Sequence, residues 1–150
     1  MVLRKSIDDF LSQQKLAVVG VSRDAKQFAN LAYRLLKDRR YQVYPVNPNA
    51  GRLENDRCYP NIQSLPQHVD AALVVLPPEK TMKVISEIAD AGIKHVWFQQ
   101  GTESTETIRF CQDRNINVIS GECIIMYLEP LAIPHRLHRW VKKVTGSYPK

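Results

Sequence analysis

Residues 16–26 read LAVVGVSRDAK, and this stretch decides the fold. Its first six residues are apolar and rich in β-branched side chains, which is typical of a strand covered on both faces. Gly20 near the end of that strand allows the backbone to turn sharply and to approach a ligand closely. Phe28, Leu31 and Leu35 then recur at helical spacing. The stretch therefore predicts a strand, a tight turn and a helix that together open an α/β domain.

Four further segments are predicted as buried parallel strands: residues 41–46 (YQVYPV), 70–76 (DAALVVL), 95–98 (HVWF) and 116–119 (INVI). Helical patterns lie before the fourth and fifth strands, and residues 49–65 are predicted to be a long loop. Strands that alternate with helices indicate a Rossmann-like, doubly wound parallel sheet. We predict about five strands in the order 3-2-1-4-5. The ligand site is then expected between the first and fourth strands, at their carboxyl ends.

The length of 150 residues corresponds to about one domain. We expect an N-terminal helix packed on the domain within residues 1–15, with Ser6 as its cap. The main domain is expected over residues 16–129, and a basic helical extension over 130–150. No apolar run reaches the ~18 residues of a membrane span, and the N-terminus lacks the apolar core of a signal peptide. A cytoplasmic protein is therefore expected.

The three cysteines, Cys58, Cys111 and Cys123, are odd in number and far apart in sequence. This pattern favours reduced thiols over disulfides or a zinc site, and no metal is predicted. The net charge of +6 attracts anions, namely nucleic acid, acidic membranes or a polyphosphate ligand. Charge alone does not choose among these three.

The turn after the first strand carries several groups suited to a phosphate. Amides at the start of the following helix favour an anion, Ser22 adds a hydroxyl, and Arg23 and Lys26 add charge. The same residues also fit an ordinary strand-to-helix turn with solvated side chains. The three-glycine fingerprint of dinucleotide sites is absent.

The other predicted strands end in residues that meet at the same edge. Asn47 and Pro48 form a neutral corner where a site for NAD usually has an acidic residue, which argues against NAD. Pro77, after the third strand, fits an apolar wall or the start of a helix. Gln100 and Gly101 follow the fourth strand. All four loops converge on one crevice, and this agreement is stronger evidence for a ligand site than any single loop.

These motifs together resemble a family. The residues GVS (20–22) with Lys26, PVNP (45–48), VDAALVVLPPE (69–79), KHVWFQQGTE (94–103) and GECI (121–124) look like those of small single-domain coenzyme A (CoA) binding proteins. That family is similar to the N-terminal CoA-binding domain of the succinyl-CoA synthetase α subunit. The resemblance covers residues 16–129 and implies a Rossmann-like fold that holds CoA at the switch point.

The resemblance also implies a set of CoA-binding residues. The phosphates would meet Gly20, Ser22 and Arg23, with Lys26 nearby; the adenosine would meet Val46, Asn47 and Pro48; the pyrophosphate and pantetheine arm would meet Leu76, Pro77, Thr81, Gln100 and Gly101. The sequence departs from the family pattern in two places. Residues 28–30 read FAN where a glycine or serine is usual, and Glu122 precedes Cys123 where an arginine is usual.

The sequence predicts a binding or regulatory module without catalytic machinery of its own. His68 and His95 fall near strand starts, at the opposite edge from the expected ligand. Cys123 follows the fifth strand, and we consider both a buried structural thiol and a mixed disulfide with CoA.

Two other function classes stay open. One is an NAD(P)-dependent oxidoreductase, in which Arg23 or Arg52 would serve a 2′-phosphate. The other is a nucleic-acid or membrane-surface binder that uses a basic helix over residues 134–146. Its charged face is Arg136, Arg139, Lys142 and Lys143, beside Trp140.

Overall fold

The computed structural model describes residues 4–128. Its helices and strands, in chain order, are α1 (Arg4–Leu11), β1 (Lys15–Val19), α2 (Phe28–Asp38), β2 (Gln42–Val46), β3 (Arg52–Leu53), β4 (Asp56–Arg57), β5 (Ala71–Val74), α3 (Pro78–Asp90), β6 (His95–Gln99), α4 (Thr105–Asp113) and β7 (Asn117–Glu122). Short 3₁₀ turns span Ile62–Ser64 and Ile124–Tyr127. The predicted basic extension at 130–150 lies outside the described residues. None of the helices described is long and apolar enough to cross a bilayer.

Five strands form one parallel sheet in the order β2-β1-β5-β6-β7. β1 pairs with β2 on one side and with β5 on the other. Helices cover both faces, so the Rossmann-like, doubly wound class predicted from sequence is confirmed.

The predicted order needs its strand numbers corrected. Tyr59 forms a single parallel bridge to Val46 beyond β2, at the place of a third strand. If Tyr59 is counted as the third strand, the order begins 3-2-1-4. The sequence analysis numbered residues 70–76 as the third strand. In the structure the corresponding strand, β5, is the fourth, and it pairs with β1. Pro45 in β2 explains the arrangement. Proline lacks a backbone donor and is tolerated at sheet edges, so β2 does not accept a second full neighbour. The switch point lies between β1 and β5.

Two separate cores follow from the alternation of side chains along each strand. Leu16 and Val18 of β1 face α1 and α2, whereas Ala17 and Val19 face α3 and α4. Successive strand residues point to opposite faces, so a central strand buried on both faces reads as a continuous apolar run. This confirms the interpretation of LAVV as a buried strand.

Helix α2 faces the sheet through Ala29, Ala32, Tyr33 and Leu36, and all of them are buried. The predicted stripe began at Phe28, which is only half-buried beside that core. The buried face is thus rotated from the predicted one, because two alanines allow the helix to approach the sheet closely while the larger side chains pack at its flank.

Helix α1 covers the far half of the same face. Ile7 and Phe10 are fully buried, and the Phe10 ring meets the Trp97 ring at 5.3 Å between centroids. The Asn117 side chain donates to the Ser6 carbonyl at 2.9 Å. The prediction that Ser6 caps this helix was wrong, because the helix already begins at Arg4.

The predicted long loop contains structure of its own. Strands β3 and β4 pair as an antiparallel hairpin, and the two residues between them, Glu54 and Asn55, both have positive φ, 52° and 64°. Two successive positive φ angles characterise the type I′ turns of tight hairpins. The description of residues 49–65 as loop was therefore wrong over the hairpin.

Candidate functional site

Gly20 fixes the turn at the carboxyl end of β1. Its φ is 110°, and a Cβ at this position would lie 1.9 Å from the carbonyl oxygen of Val75. Its amide donates to the Val46 carbonyl at 3.1 Å. The turn therefore brings the ends of three neighbouring strands together through backbone atoms, and only glycine fits there.

The buried side chain of Asn30 holds the next part of this turn. Its oxygen accepts from the Ser22 amide at 2.8 Å, and its nitrogen donates to the Ser22 carbonyl at 2.8 Å. The Ser22 hydroxyl accepts from the Asp24 amide at 3.0 Å, which leaves its own hydrogen free to donate to a ligand. The sequence analysis treated Asn30 only as a departure from a family pattern. The sequence did contain an indication of this role, because an asparagine at position 30 is adjacent to the apolar residues that the helical pattern places against the sheet.

The corner after β2 is held by the side chain of Asn47. Its nitrogen donates to the Val21 carbonyl at 2.8 Å, and its oxygen accepts from the Asn49 amide at 2.7 Å. Val21 belongs to the turn after β1, so this amide ties the first and second loops together. The neutral corner predicted from sequence therefore also connects the two loops by hydrogen bonds.

A cavity of about 700 Å³, here called the switch cavity, opens between these loops and α3. The predicted site residues that line it are Gly20, Ser22, Val46, Asn47, Pro48 and Leu76. The sequence analysis missed the residues of its far wall, which are Pro60, Asn61 and Ile62 from the long loop and Glu79, Lys80, Lys83, Val84 and Glu87 from α3. The α3 residues could have been identified from their helical spacing, which places them on the side of the helix away from its core-facing residues.

The two helices that begin beside the switch point lack side-chain caps. The Gln27 side chain makes no capping bond to α2, and Pro77 has no side chain that could cap α3. By contrast, α4 begins with a reciprocal capping box of Ser104 and Thr107. Uncapped first-turn amides and the helix dipole together favour an anion. The two uncapped helix starts thus suit a phosphate-bearing ligand.

The remaining predicted residues do not line the switch cavity. Arg23 lies on its other side, beside the hairpin, and Lys26 is exposed. Pro77 precedes α3. Thr81 is fully buried, with its hydroxyl 3.1 Å from the Thr102 carbonyl, where it joins α3 to the loop before α4.

Gln100 and Gly101 form the exposed tip of the turn between β6 and α4. The Thr102 amide donates to the Gln99 carbonyl at 2.9 Å, and Gly101 has φ 88°. This turn lies on the next loop along the same edge of the sheet, outside the switch cavity.

A second cavity of about 490 Å³, here called the hairpin cavity, adjoins the first at Ser22. Its walls include Arg23 and Asn30 on one side and Arg52 and Glu54 of the hairpin on the other. The Arg23 guanidinium donates to the Asn49 carbonyl across the gap between the two loops.

Side-chain bonds from α2 fasten the hairpin. Glu54 accepts from Asn30 at 2.9 Å and from Arg34 at 2.7 Å. Asp56 accepts from the hydroxyl of Tyr33 and from Lys37 at 2.5 Å. These four residues of α2 hold a hairpin whose own pairing is only two residues long on each strand.

The same contacts keep both hairpin carboxyls ionised. The hydrogen bond from Asn30 is the main reason that the pKa of Glu54 lies below its usual value. Burial alone would raise the pKa of Asp56, but hydrogen bonds from Lys37 and Tyr33 outweigh it, and that pKa is also lowered. Both carboxylates are therefore negative, and paired, at neutral pH.

The three thiols are buried, and burial raises the pKa of each of them. Cys123 is only 2% exposed and lies beside the Gln99 side chain. A thiol that is protonated and covered reacts slowly. This geometry favours the structural interpretation of Cys123 over a mixed disulfide with CoA.

The chain matches the family model described as CoA binding domain over residues 14–129. The α subunit of the ADP-forming acetate–CoA ligase II of Pyrococcus furiosus is 30% identical over 131 residues, which cover 79% of this chain and 28% of that subunit. The chain thus spans less than a third of the length of this relative.

The fold is shared with solved structures of other proteins. A conserved hypothetical protein from Pyrococcus furiosus superposes with a TM-score of 0.72 at 35% identity, over 76% of this chain and 98% of that one. A dinucleotide-forming acetyl-coenzyme A synthetase of Ca. Korarchaeum cryptofilum, solved with phosphate and ADP, gives 0.63 at 30% identity, over 70% of this chain and 25% of that one. With the family model covering most of its length, this chain belongs to the CoA binding domain family.

Proposed function

We propose that this protein binds coenzyme A or an acyl-CoA in the switch cavity, as a binding or regulatory module without catalytic machinery of its own. The observation that carries the proposal is the meeting of the Gly20 turn and the uncapped start of α3 at a cavity of about 700 Å³. The family membership makes CoA the first ligand to test.

The composition of the cavity fits the parts of CoA. Its pyrophosphate suits the start of α3, where amides and the dipole favour negative charge. Val46, Ile62 and Val84 give the cavity apolar walls for an adenine ring or a pantetheine chain. Ligand sites of this kind are mostly apolar with a few fixed polar groups.

The corner at Asn47 favours CoA over NAD. An NAD site usually places a carboxylate at the end of the second strand to accept from the ribose hydroxyls. Here the residue is a neutral asparagine, whose side chain is oriented by its bonds to the Val21 carbonyl and the Asn49 amide, so no carboxylate is present to accept from a ribose.

The placement of reactive groups supports a module rather than an enzyme. His95 begins β6, and His68 precedes β5, so both lie at the amino edge of the sheet, opposite the cavity. Burial lowers the pKa of His95, which is thus neutral near pH 7. The three thiols are covered.

Thermal unfolding with CoA, acetyl-CoA, NAD, NADP and ATP tests the proposal. A ligand at 100 times its Kd stabilises a protein by ~2.7 kcal/mol, which corresponds to a rise of several degrees in Tm. We expect that rise with CoA and its thioester. A rise with NAD or NADP alone, or with none of the five, would refute the proposal.

A matched pair of variants locates the binding. Val84→Trp on α3 places a large ring in the switch cavity and is expected to abolish the Tm rise with CoA. Met82→Trp, two residues earlier, adds the same ring to the groove between α3 and α4 and leaves the rise intact. Equal effects of both variants would place the ligand elsewhere.

A further inference from the structure

The hairpin cavity adjoins the switch cavity, because Ser22 lines both. A ligand whose phosphates sit at the Ser22 turn therefore has a second compartment within reach, on the opposite side of the turn from α3. At about 490 Å³ this compartment is several times larger than one phosphate group.

The carboxylates of the hairpin are already neutralised. Glu54 is bound by Asn30 and Arg34, and Asp56 by Tyr33 and Lys37. Glu54 is the carboxylate that lines the hairpin cavity, and its charge is balanced by Arg34 of α2, so its repulsion of an entering anion is reduced.

Two arginines of this cavity form no salt bridge among residues 4–128, although the charge of Arg52 helps to lower the pKa of Asp56. Arg52 donates to the Asn55 carbonyl at 3.0 Å, and Arg23 donates to the Asn49 carbonyl. A guanidinium has five donors, so each arginine keeps several for a ligand. Arginine also matches phosphate geometry with two parallel hydrogen bonds.

The switch cavity lacks this excess of positive charge. Lys80 and Lys83 line it together with Glu79 and Glu87, two cations with two anions on the same helix. Of the two compartments, the hairpin cavity is therefore the one suited to a doubly charged phosphate monoester, and the switch cavity suits the less charged parts of a nucleotide.

We infer that Arg23 and Arg52 in the hairpin cavity bind a phosphate monoester on the ribose of the ligand, which is the 3′-phosphate if the ligand is CoA. The identity of the ligand rests on the proposed function, whereas the binding of a ribose phosphate rests on the two arginines. The hairpin is thereby a specificity element that separates 3′-phosphorylated nucleotides from those without that group.

Calorimetric titration of the 150-residue chain with CoA and dephospho-CoA tests this inference. Removing one charge-assisted bidentate contact costs about tenfold or more in affinity. We expect Arg52→Gln to weaken CoA binding by about that factor and to leave dephospho-CoA binding within about twofold. Arg57→Gln is the control, because Arg57 lies on the same hairpin, over the Tyr59 ring, and lines neither cavity. If Arg52→Gln does not fold, Arg23→Gln replaces it.

The outcomes separate the two claims. An equal effect of Arg52→Gln on both ligands, or no effect on either, overturns the inference while CoA binding stands. If the wild type binds neither ligand, the proposed function fails, and adenosine 3′,5′-bisphosphate against ADP becomes the probe. Arg52-dependent binding of that bisphosphate supports the inference, and its absence overturns it. A preference for NADP over NAD that depends on Arg52, without one for CoA, assigns the cavity to a 2′-phosphate and overturns the 3′ assignment.

Discussion

The two cavities that meet at Ser22 are built in different ways. The switch cavity is bounded by strand ends and by α3, and its shape depends on the backbone turn at Gly20. The hairpin cavity is bounded on one side by two short strands that α2 holds through side-chain bonds. The switch cavity is formed by the central sheet and its helices, whereas the hairpin cavity depends on side-chain contacts between α2 and a short hairpin.

This difference indicates that the switch point contributes to the stability of the whole fold, whereas the hairpin contributes to ligand selectivity. Backbone geometry at the core of a sheet is insensitive to pH and salt, whereas partly exposed ion pairs respond to both. We expect changes at the switch point to act on the whole fold, and changes at the hairpin to act locally.

The largest expected effect is that of Gly20→Ala. The added Cβ meets the Val75 carbonyl at a backbone position that cannot move freely, at φ 110°. We expect the free energy of unfolding to fall by ~2–4 kcal/mol in urea denaturation. Gly51→Ala is the control, because its Cβ meets nothing within 4 Å. Equal stability of the two variants would show that the close approach at Gly20 is not a feature of the protein.

Asn30→Ala removes the side chain that holds the Ser22 turn, where the two cavities meet. It leaves the amide and carbonyl of Ser22 without their partner and removes one bond to Glu54. Loss of buried hydrogen bonds of this kind costs ~1–3 kcal/mol. The exposed Asp38→Ala, on the same helix, is expected to change stability by less than ~0.5 kcal/mol. A loss in Asn30→Ala no larger than that of the control would contradict the account of the Ser22 turn.

Acid should loosen the hairpin before it unfolds the sheet. The folded pKa values of Glu54 and Asp56 lie below their ordinary values, so their contribution is present above about pH 4.5. It is lost as the pH falls from there through the lowered values. Because Glu54→Gln removes one of these groups, its unfolding free energy should fall less steeply than that of the wild type between pH 5 and 3. If the unfolding free energies of the wild type and Glu54→Gln fell equally steeply with pH, the ionised Glu54 carboxylate would contribute nothing to stability.

The smallest expected effect is on thiol reactivity, and it compares the two regions directly. Cys58 lies under the hairpin, with its amide bound to the Gly51 carbonyl, whereas Cys111 is in the sheet-and-helix core, where burial raises its pKa to about 12. We expect slow labelling of Cys58 at pH 8 and slower labelling of Cys111, followed by mass spectrometry. Glu54→Gln should speed labelling at Cys58 alone, and uniform acceleration of all three thiols would argue for global opening instead.

Much of the sheet could be predicted because its strands are buried on both faces. Residues 16–19, 71–74 and 96–98 are continuously apolar, so the positions of these strands and their parallel direction follow from the sequence pattern. The turn at Gly20 and the corner at Asn47 were also visible, since glycine and Asn-Pro have few other uses at strand ends.

The hairpin and the α3 wall were not predicted, for physical reasons. Strands β3 and β4 are two residues long, too short to show alternation, and Glu54 is an unusual residue for a positive φ. Glu54 is held there by Asn30 and Arg34, which are contacts that sequence patterns do not reveal. Pro45 did carry a usable signal, because it marks β2 as an edge strand, and this would have corrected the strand numbers.

The central claim is that one ligand occupies the carboxyl edge at the Ser22 turn. Amide NMR of the ¹⁵N-labelled protein during titration with CoA tests it most directly. The account predicts shifts at Gly20, Ser22, Asn47 and Lys83, and at Arg52 if the hairpin binds the 3′-phosphate, with α4 unchanged. Shifts confined to α4, or an unchanged spectrum at saturating CoA, would contradict it.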